Sequence, residues 1–162
     1  MQPALIATLT VSDTRTDADD ESGKTLRAAL ESAGFRLRAH RIVKDELLEI
    51  AGSVRLALHD GANAVILTGG TGIAPRDVTI EAVEPLFDRW LDGFGEAFRR
   101  LSWDEVGARS ILSRATAGVV GRGIVIALPG SVNAVKLGVE KLILPMLPHA
   151  LHIVQGAPTS HH

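Results

Sequence analysis

A glycine-rich turn, TGGTG at residues 68–72, follows the apolar run Ala64–Leu67 and precedes Arg76. Glycines at these positions let successive backbone N–H groups face an anion, and the two threonine hydroxyls add hydrogen-bond donors. The Arg76 guanidinium adds a charged fork that matches phosphate or carboxylate oxygens. The turn therefore predicts a site for an anionic ligand, although a tight strand-to-helix connection would explain the same spacing. The predicted binding residues are Thr68, Gly69, Gly70, Thr71, Gly72 and Arg76.

Asp77 lies beside this turn, and its carboxylate would repel an anion unless a cation lay between them. Mg²⁺ bridging a phosphate and a carboxylate removes that conflict, which makes Asp77 a candidate metal ligand. Asp45 is a second candidate, because it follows another predicted strand. The alternative is structural: Asp45 would cap the second helix, and Asp77 or Thr79 the third. A solvated loop is favoured for the acidic residues Asp17, Asp19, Asp20 and Glu21.

Familiar catalytic and phosphate-binding motifs do not occur in the sequence. There is no G-x-x-x-x-G-K-[ST] loop, and Pro75 stands where a G-x-G-x-x-G fingerprint needs its third glycine. No H-E-x-x-H pair or G-x-S-x-G elbow is present, so zinc and serine hydrolase chemistry lack support. Structural or surface roles are favoured for His40, His59, His149 and His152.

Composition narrows the class of protein. The chain has 162 residues, a formal net charge of −2 and no cysteine. Such a charge excludes a bulk electrostatic grip on nucleic acid, and the missing thiols fit a reducing compartment. The longest uncharged runs are too short to span a bilayer. We expect a cytoplasmic protein that binds neither nucleic acid nor membrane, with one domain over residues 1–154 and a polar tail over 155–162.

The apolar patterns predict strands alternating with helices, which requires parallel strands with helices on both faces of the sheet. Phe35–His40 alternates as a strand with one wet face, on which His40 would lie. The closing helix is predicted from Val132 to Leu144, broken near Pro145 and Pro148. Ligands of such folds bind beyond the carboxyl ends of the strands. The other predicted strands are Leu5–Ser12, Ala64–Thr68, Ala115–Gly118 and Gly123–Leu128.

Six motifs in order give the sequence a family resemblance. The chain resembles the molybdenum cofactor biosynthesis proteins of the Mog/MoaB type over essentially its whole length. The resemblance implies a three-layer α/β/α fold with a mostly parallel sheet, assembled as a trimer or a hexamer. The motifs are TVSDTR (10–15), DESG (20–23), TGGTG with PRDVTIEA (68–82), GFGEAFR (93–99), LSRATAG (112–118) and LPGS (128–131).

The resemblance also implies a reaction. ATP and molybdopterin, with Mg²⁺, give adenylylated molybdopterin and pyrophosphate, and a separate enzyme then inserts molybdate. The alternative within the family is a molybdopterin-binding or carrier protein without transferase activity. A third alternative is a domain acting on another nucleotide, as in competence-damage-type proteins. Retention of Asp77 favours the active enzyme, although the stretch from Gly93 to Gly118 looks more like MoaB-type members.

Particular residues acquire roles from this resemblance. It makes Asp77 and Asp45 catalytic carboxylates, with Gly69–Gly72 in the phosphate and pterin site. One departure concerns Lys44, which replaces the proline that the family commonly has before the first of these aspartates. A proline would fix the backbone there, whereas lysine adds a cation and flexibility. Further binding residues implied are Ser12 and Asp13 on the nucleotide side, Glu96 at the rim, and Pro129, Gly130 and Ser131 in another loop.

Overall fold

Seven strands form a single mixed sheet in the computed structural model, which describes residues 4–156. The spatial order is β2-β1-β4-β7-β6-β5. Strand β3 follows β2 in the chain and pairs with the second half of β1, whereas β2 pairs with the start of β1. The strands are β1 (Leu5–Val11), β2 (Arg36–Leu37), β3 (Arg41–Val43), β4 (Ala64–Thr68), β5 (Arg89–Trp90), β6 (Thr116–Val120) and β7 (Gly123–Leu128).

The central strands β1, β4 and β7 run parallel and are covered on both faces. Apart from three threonines their residues are apolar, and nearly all of them are buried, which is the pattern of strands between two layers of helices. Strands β5 and β6 add an antiparallel edge, with a tight turn at Gly121 joining β6 to β7. The mostly parallel sheet is confirmed, while β3 and β5 were not predicted.

Helices cover both faces of the sheet and complete the three-layer α/β/α fold, confirming that prediction. One face carries α1, α4, α5 and α6 around a core that includes Leu26, Phe98 and Ile143, whereas α2 and α3 cover the other. A 3₁₀ segment, Gly107–Leu112, follows α4. The helices are α1 (Glu21–Ser32), α2 (Leu47–His59), α3 (Thr79–Val83), α4 (Asp92–Val106), α5 (Val132–Gly138) and α6 (Leu144–Val154).

The predicted break near Pro145 and Pro148 is wrong. A single π turn, Val139–Ile143, joins α5 to α6, so Pro145 falls in the first turn of α6. The π turn interrupts the regular α-helical hydrogen-bond pattern just before Pro145, and such an interruption is where a residue without an N–H is tolerated. The continuous helix Val132–Val154 is long and apolar enough to cross a membrane by length and composition. A stripe at four-residue spacing is nevertheless buried against the rest of the chain, as in a core helix: Val135, Val139, Ile143, Leu147 and Leu151.

Two predictions about polar residues are also wrong. The segment Phe35–His40 pairs with the sheet only at β2, and His40 turns inward, with a side chain only 1% exposed. Asp20 is not solvated like its acidic neighbours but is fully buried, at the N-cap of α1. The two side chains contact each other, so one feature accounts for both errors. Of the predicted tail, residues 157–162 lie outside the part of the chain that the structure describes.

The parallel strands bring three loops to one edge of the sheet. Thr10 pairs with Thr68, and Thr68 pairs with Leu128, so β1, β4 and β7 end nearly level. The chain leaves these strands at Ser12, Gly69 and Pro129. Their carboxyl ends therefore meet at the edge where ligands bind in open parallel sheets.

Candidate functional site

A cleft of about 570 Å³ lies at this carboxyl edge. Most of the residues predicted from the sequence line it, although they come from five separate stretches of chain. Glu96 is exposed on α4 and does not line the cleft, and Ser131 caps α5, where its Oγ accepts a hydrogen bond from Ala134 N. The predicted residues that line the cleft are Ser12, Asp13, Asp45, Thr68, Gly69, Gly70, Thr71, Gly72, Arg76, Asp77, Pro129 and Gly130.

The glycine turn has a backbone that only glycine adopts easily. Gly69 and Gly70 have φ angles of +98° and +69°. A Cβ at Gly70 would lie 2.2 Å from Thr79 Oγ1, and one at Gly69 would lie 2.4 Å from the Val11 carbonyl oxygen. Thr79 Oγ1 donates to Gly69 O at 2.8 Å, and its backbone N–H donates to Gly70 O at 3.1 Å. The turn is thus fixed in a left-handed conformation with the start of α3 packed behind it.

Thr68 provides a hydroxyl that the described part of the chain leaves unsatisfied. The residue is fully buried, and Oγ1 has no hydrogen-bond partner within residues 4–156. Thr68 also lines the cleft. A buried hydroxyl without a partner is costly, so Thr68 is a residue of the cleft wall for which the described contacts provide no hydrogen-bond partner.

Three carboxylates cluster at one side of the cleft. The backbone N–H of Asp45 donates to Asp13 Oδ1 at 2.9 Å. Burial raises the pKa of the Asp45 carboxyl, and the negative charges of Asp13 and Asp77 raise it further. The charge of Arg76 opposes this effect. The cleft therefore pairs a concentration of negative charge with an adjacent arginine.

The capping roles predicted for Asp45, Asp77 and Thr79 are wrong. Glu46 occupies the N-cap of α2 and Val78 that of α3, and neither helix has a side-chain cap. Asp77 Oδ2 instead accepts the Ala74 N–H at 2.9 Å, which closes the turn before α3. Both aspartates lie in the cleft, so the structural role offered as an alternative does not account for them.

The carboxylates suit a cation that is shared with a substrate. Within residues 4–156, no group of three or more histidine or acidic side chains is arranged to hold a metal ion. Mg²⁺ is usually held by one or two carboxylates together with substrate phosphates, so a complete protein cage is not required. Asp45 and Asp77 beside the glycine turn fit such an ion.

Arg114 is a positioning residue that the sequence reasoning missed. Its Nε donates to Gly72 O at 2.9 Å and its Nη2 to Asp77 O at 3.1 Å. Its backbone N–H donates to Thr71 O, and its Nη1 hydrogen-bonds to Glu81, whose pKa this contact holds below the usual range. One arginine therefore fixes the turn and the start of α3. The only sequence signal was its place in the LSRATAG motif.

Other residues of the cleft were not predicted to bind a ligand, and the only sequence signal that some of them had was a place in a family motif. They come from the loop after β1, the start of α1, the last residue of α4 and the 3₁₀ segment that follows it, and they include both charged and apolar side chains. Their chain positions are far apart, so only the fold brings them together. They include Arg15, Ser22, Val106, Arg109 and Leu112.

Fold and site together define an α/β protein with a mostly parallel sheet and a cleft at the carboxyl ends of its central strands. Residues 7–149 match a family described as "Probable molybdopterin binding domain". The chain therefore belongs to the molybdenum cofactor biosynthesis family that its motifs resemble.

Named relatives agree with this assignment. The chain is 52% identical to Molybdenum cofactor biosynthesis protein B of Bacillus subtilis, over 91% of this chain and 88% of the relative. A crystal structure of a molybdenum cofactor biosynthesis protein B superposes with a TM-score of 0.92 at 42% identity, covering 95% of this chain and 97% of that one. The tungsten cofactor synthesizing protein MoaB from Pyrococcus furiosus superposes with a TM-score of 0.87 at 39% identity, covering 96% and 99%.

Proposed function

We propose that this chain acts in molybdenum cofactor biosynthesis as a molybdopterin adenylyltransferase, which converts ATP and molybdopterin into adenylylated molybdopterin and pyrophosphate. One observation carries the proposal: a glycine turn with an unsatisfied buried hydroxyl, Thr68, lies beside the paired carboxylates Asp45 and Asp77 in one cleft. Hydrogen-bond donors for phosphate and ligands for a cation are what transfer of a nucleotidyl group needs.

The reaction requires no nucleophile from the protein. An oxygen of the molybdopterin phosphate forms a bond to the α-phosphorus of ATP, and the bond from that phosphorus to the bridging oxygen breaks. The electron pair leaves with pyrophosphate. A phosphate monoester is largely ionised near neutral pH, so no side chain has to remove a proton before attack.

The work of the chain is therefore to position groups and to balance charge. The glycine turn and Thr68 would hold phosphate oxygens, while Ser12 and Asp13, which also line the cleft, would face the nucleotide. Asp45 and Asp77 would hold Mg²⁺, which when bound neutralises charge developing on the phosphates. Arg76 at the same rim would offset the charge of the carboxylates.

A non-catalytic molybdopterin-binding protein is the second candidate. It is favoured by the family description, which names binding rather than catalysis, and by Lys44 in place of a proline before Asp45. Such a protein would use the same turn without needing ATP or Mg²⁺. The two candidates therefore differ in the role of the carboxylates.

Pyrophosphate release separates the candidates. We expect the purified chain to release pyrophosphate from ATP in the presence of Mg²⁺ and molybdopterin. Asp77→Asn should reduce this rate by at least about 100-fold, as loss of a transition-state contact does. It should leave molybdopterin binding intact.

Asp104→Asn is the matched control, because Asp104 is an exposed aspartate on α4 that pairs only with Arg100 in the contacts of the described chain. Its rate should equal that of the unchanged protein. A wild-type chain that binds molybdopterin with no dependence on ATP or Mg²⁺, and releases no pyrophosphate, would establish the second candidate instead.

The proposed product also implies partners. Adenylylated molybdopterin is the form into which a separate enzyme would insert molybdate, so we propose a hand-over to that enzyme. We further propose a homotrimer or homohexamer, in keeping with the family. Light scattering after size-exclusion chromatography measures the mass of the assembly directly.

A further inference from the structure

A buried carboxylate network lies directly behind the cleft. The Asp20 side chain is 1% exposed and is surrounded by donors. Its Oδ2 accepts from Thr10 Oγ1 at 2.7 Å and lies 2.8 Å from His40 Nε2. Its Oδ1 accepts the Gly23 N–H at 3.1 Å. These contacts tie Asp20 to β1, to α1 and to the segment before β3.

The contacts of the network indicate the protonation states of Asp20 and His40. Burial alone would raise the pKa of Asp20, but hydrogen bonds from Thr10, His40 and Gly23 together hold it below the usual value. Burial, with the charge of Arg27, lowers the pKa of His40 despite the opposing hydrogen bond and charge of Asp20. A neutral His40 that donates from Nε2 to an ionised Asp20 must accept at Nδ1, where Thr8 Oγ1 lies at 2.7 Å. The network therefore keeps one negative charge buried on Asp20.

That charge faces the cleft through Arg15. Arg15 Nη1 lies 3.9 Å from Asp20 Oδ1 and donates to Ser22 Oγ at 2.8 Å. The Arg15 side chain is 38% exposed, and both Arg15 and Ser22 line the cleft. Asp20 and Ser22 thus contact Arg15 Nη1 on the buried side of the guanidinium, while part of the group remains exposed to solvent at the rim of the cleft.

Gly23 leaves the space that the buried Asp20 carboxylate occupies. A Cβ at Gly23 would lie 2.2 Å from Asp20 Oδ2 and 2.8 Å from Thr10 Oγ1. Only a residue without a side chain leaves room for the carboxylate at the start of α1. Asp20 could have capped the helix from an exposed position, as N-cap aspartates usually do, so capping does not explain its burial.

We propose that Arg15 binds a phosphate group of the substrate in the cleft, and that Asp20, held by His40 and Thr10, is its positioning residue. Arginine suits phosphate because its planar fork presents donors in a fixed geometry, and that geometry is useful only if the side chain is held. Arg15 also supplies positive charge in a cleft that contains three carboxylates. The inference rests on the proposed function only in that the cleft takes a phosphate-bearing substrate.

Asp20→Asn removes the charge while sparing the fold. Asparagine caps helices as well as aspartate, so its Oδ1 can still accept from Gly23 N. Its amide can donate to His40 Nε2 once the imidazole adopts its other tautomer, with Nδ1–H donating to Thr8. The second amide hydrogen can donate to Thr10 Oγ1, which then accepts instead of donating. Each of these buried groups keeps a partner, and the main change is the loss of the negative charge behind Arg15.

The test measures binding of inorganic tripolyphosphate by calorimetry, which requires neither molybdopterin nor turnover. Arg15→Ala should weaken binding about tenfold, the effect of losing one charged contact. Asp20→Asn should weaken it about threefold or more in the wild-type chain and leave it unchanged in the Arg15→Ala chain, because coupled residues are non-additive. The control pair Arg100→Ala and Asp104→Asn removes an exposed ion pair on α4 and should leave affinity unchanged.

Several results would overturn the inference. They are a wild-type chain that does not bind the probe, an Arg15→Ala chain that binds normally, and an Asp20→Asn chain that only melts earlier with unchanged affinity. An equal loss from Asp20→Asn with and without Arg15 would also overturn it, since Asp20 would then not act through Arg15. If the predicted binding pattern appears but pyrophosphate is never released, the proposed reaction fails and this inference stands.

Discussion

Gly70 is a residue at which the site tolerates little change. Its φ of +69° is strained for any other residue, and a Cβ would meet Thr79 Oγ1 and approach Asp45 Oδ1 to 3.3 Å. We expect Gly70→Ala to lower the free energy of unfolding by about 1–3 kcal/mol, the usual cost of such strain. We also expect it to abolish ATP binding, because the turn must shift. Denaturant unfolding and calorimetry measure the two effects.

Gly52 provides the matched control. It lies within α2, and a Cβ there would meet nothing within 4 Å. Alanine is favoured over glycine in a helix interior by about 0.5–1 kcal/mol, so Gly52→Ala should stabilise the protein slightly and leave ATP affinity unchanged. If both alanine variants behaved alike, the special geometry of the turn would have no functional weight.

At the scale of elements, Arg114 joins the segment before β6 to the glycine turn and to α3. Two of its side-chain nitrogens bond backbone carbonyls of the turn region, and a third bonds Glu81. A lysine offers one rotating ammonium in place of a planar fork. Arg114→Lys should therefore lower the free energy of unfolding by about 1–2 kcal/mol and weaken ATP binding. Urea unfolding and calorimetry test this.

Arg100→Lys is the corresponding control, since Arg100 is exposed and bonds Asp104 on its own helix. Its unfolding and its ATP affinity should match those of the wild-type chain. Equal behaviour of the two lysine variants would show that the contacts of Arg114 do not hold the turn in place.

The elements that the sequence could predict are those with one dominant local signal. Strands β1, β4 and β7 are buried on both faces, so their apolar runs stand out. Local proline preference predicts a break in the closing helix. The packing of Leu147 and Leu151 in the core overrides that preference and keeps α6 helical around Pro148. The short strand β5, two residues long, depends on pairing with β6 and has no sequence signature.

The site was predictable to the extent that its residues follow strand ends. The glycine turn, Asp45 and Asp77 do so, and they share the cleft. Arg15 and Arg114 were missed because their roles depend on contacts across the fold rather than on spacing. The exposed acidic neighbours of Asp20 predict a solvated side chain, whereas Thr10 and His40, 10 and 20 residues away, contact it in the interior.

At the scale of the whole molecule, the Asp20–His40 pair links stability to pH. It joins β1, α1 and the segment before β3, so its protonation affects the fold rather than one loop. Burial lowers the pKa of His40 despite Asp20 and the charge of Asp17, and Arg27 lowers it further. Below about pH 6.5, the ordinary value for histidine, the unfolded chain therefore binds a proton that the folded chain resists.

Stability must accordingly fall as the pH drops. The contribution of a neutral buried His40 is complete above pH 6.5 and is lost as the pH falls from there towards the lowered pKa of the folded state. The depressed pKa of Asp20 adds a second loss in stronger acid, below the ordinary aspartate value of 3.8. We expect the unfolding free energy of the wild-type chain to fall faster between pH 8 and pH 5 than that of His40→Gln, as measured by urea titration at each pH. The difference in unfolding free energy between the two chains at pH 8, where neither carries a charge at position 40, is the reference for the lower pH values. A difference that stays constant down to pH 5 would mean that His40 titrates normally, and the buried network would then not hold a neutral imidazole.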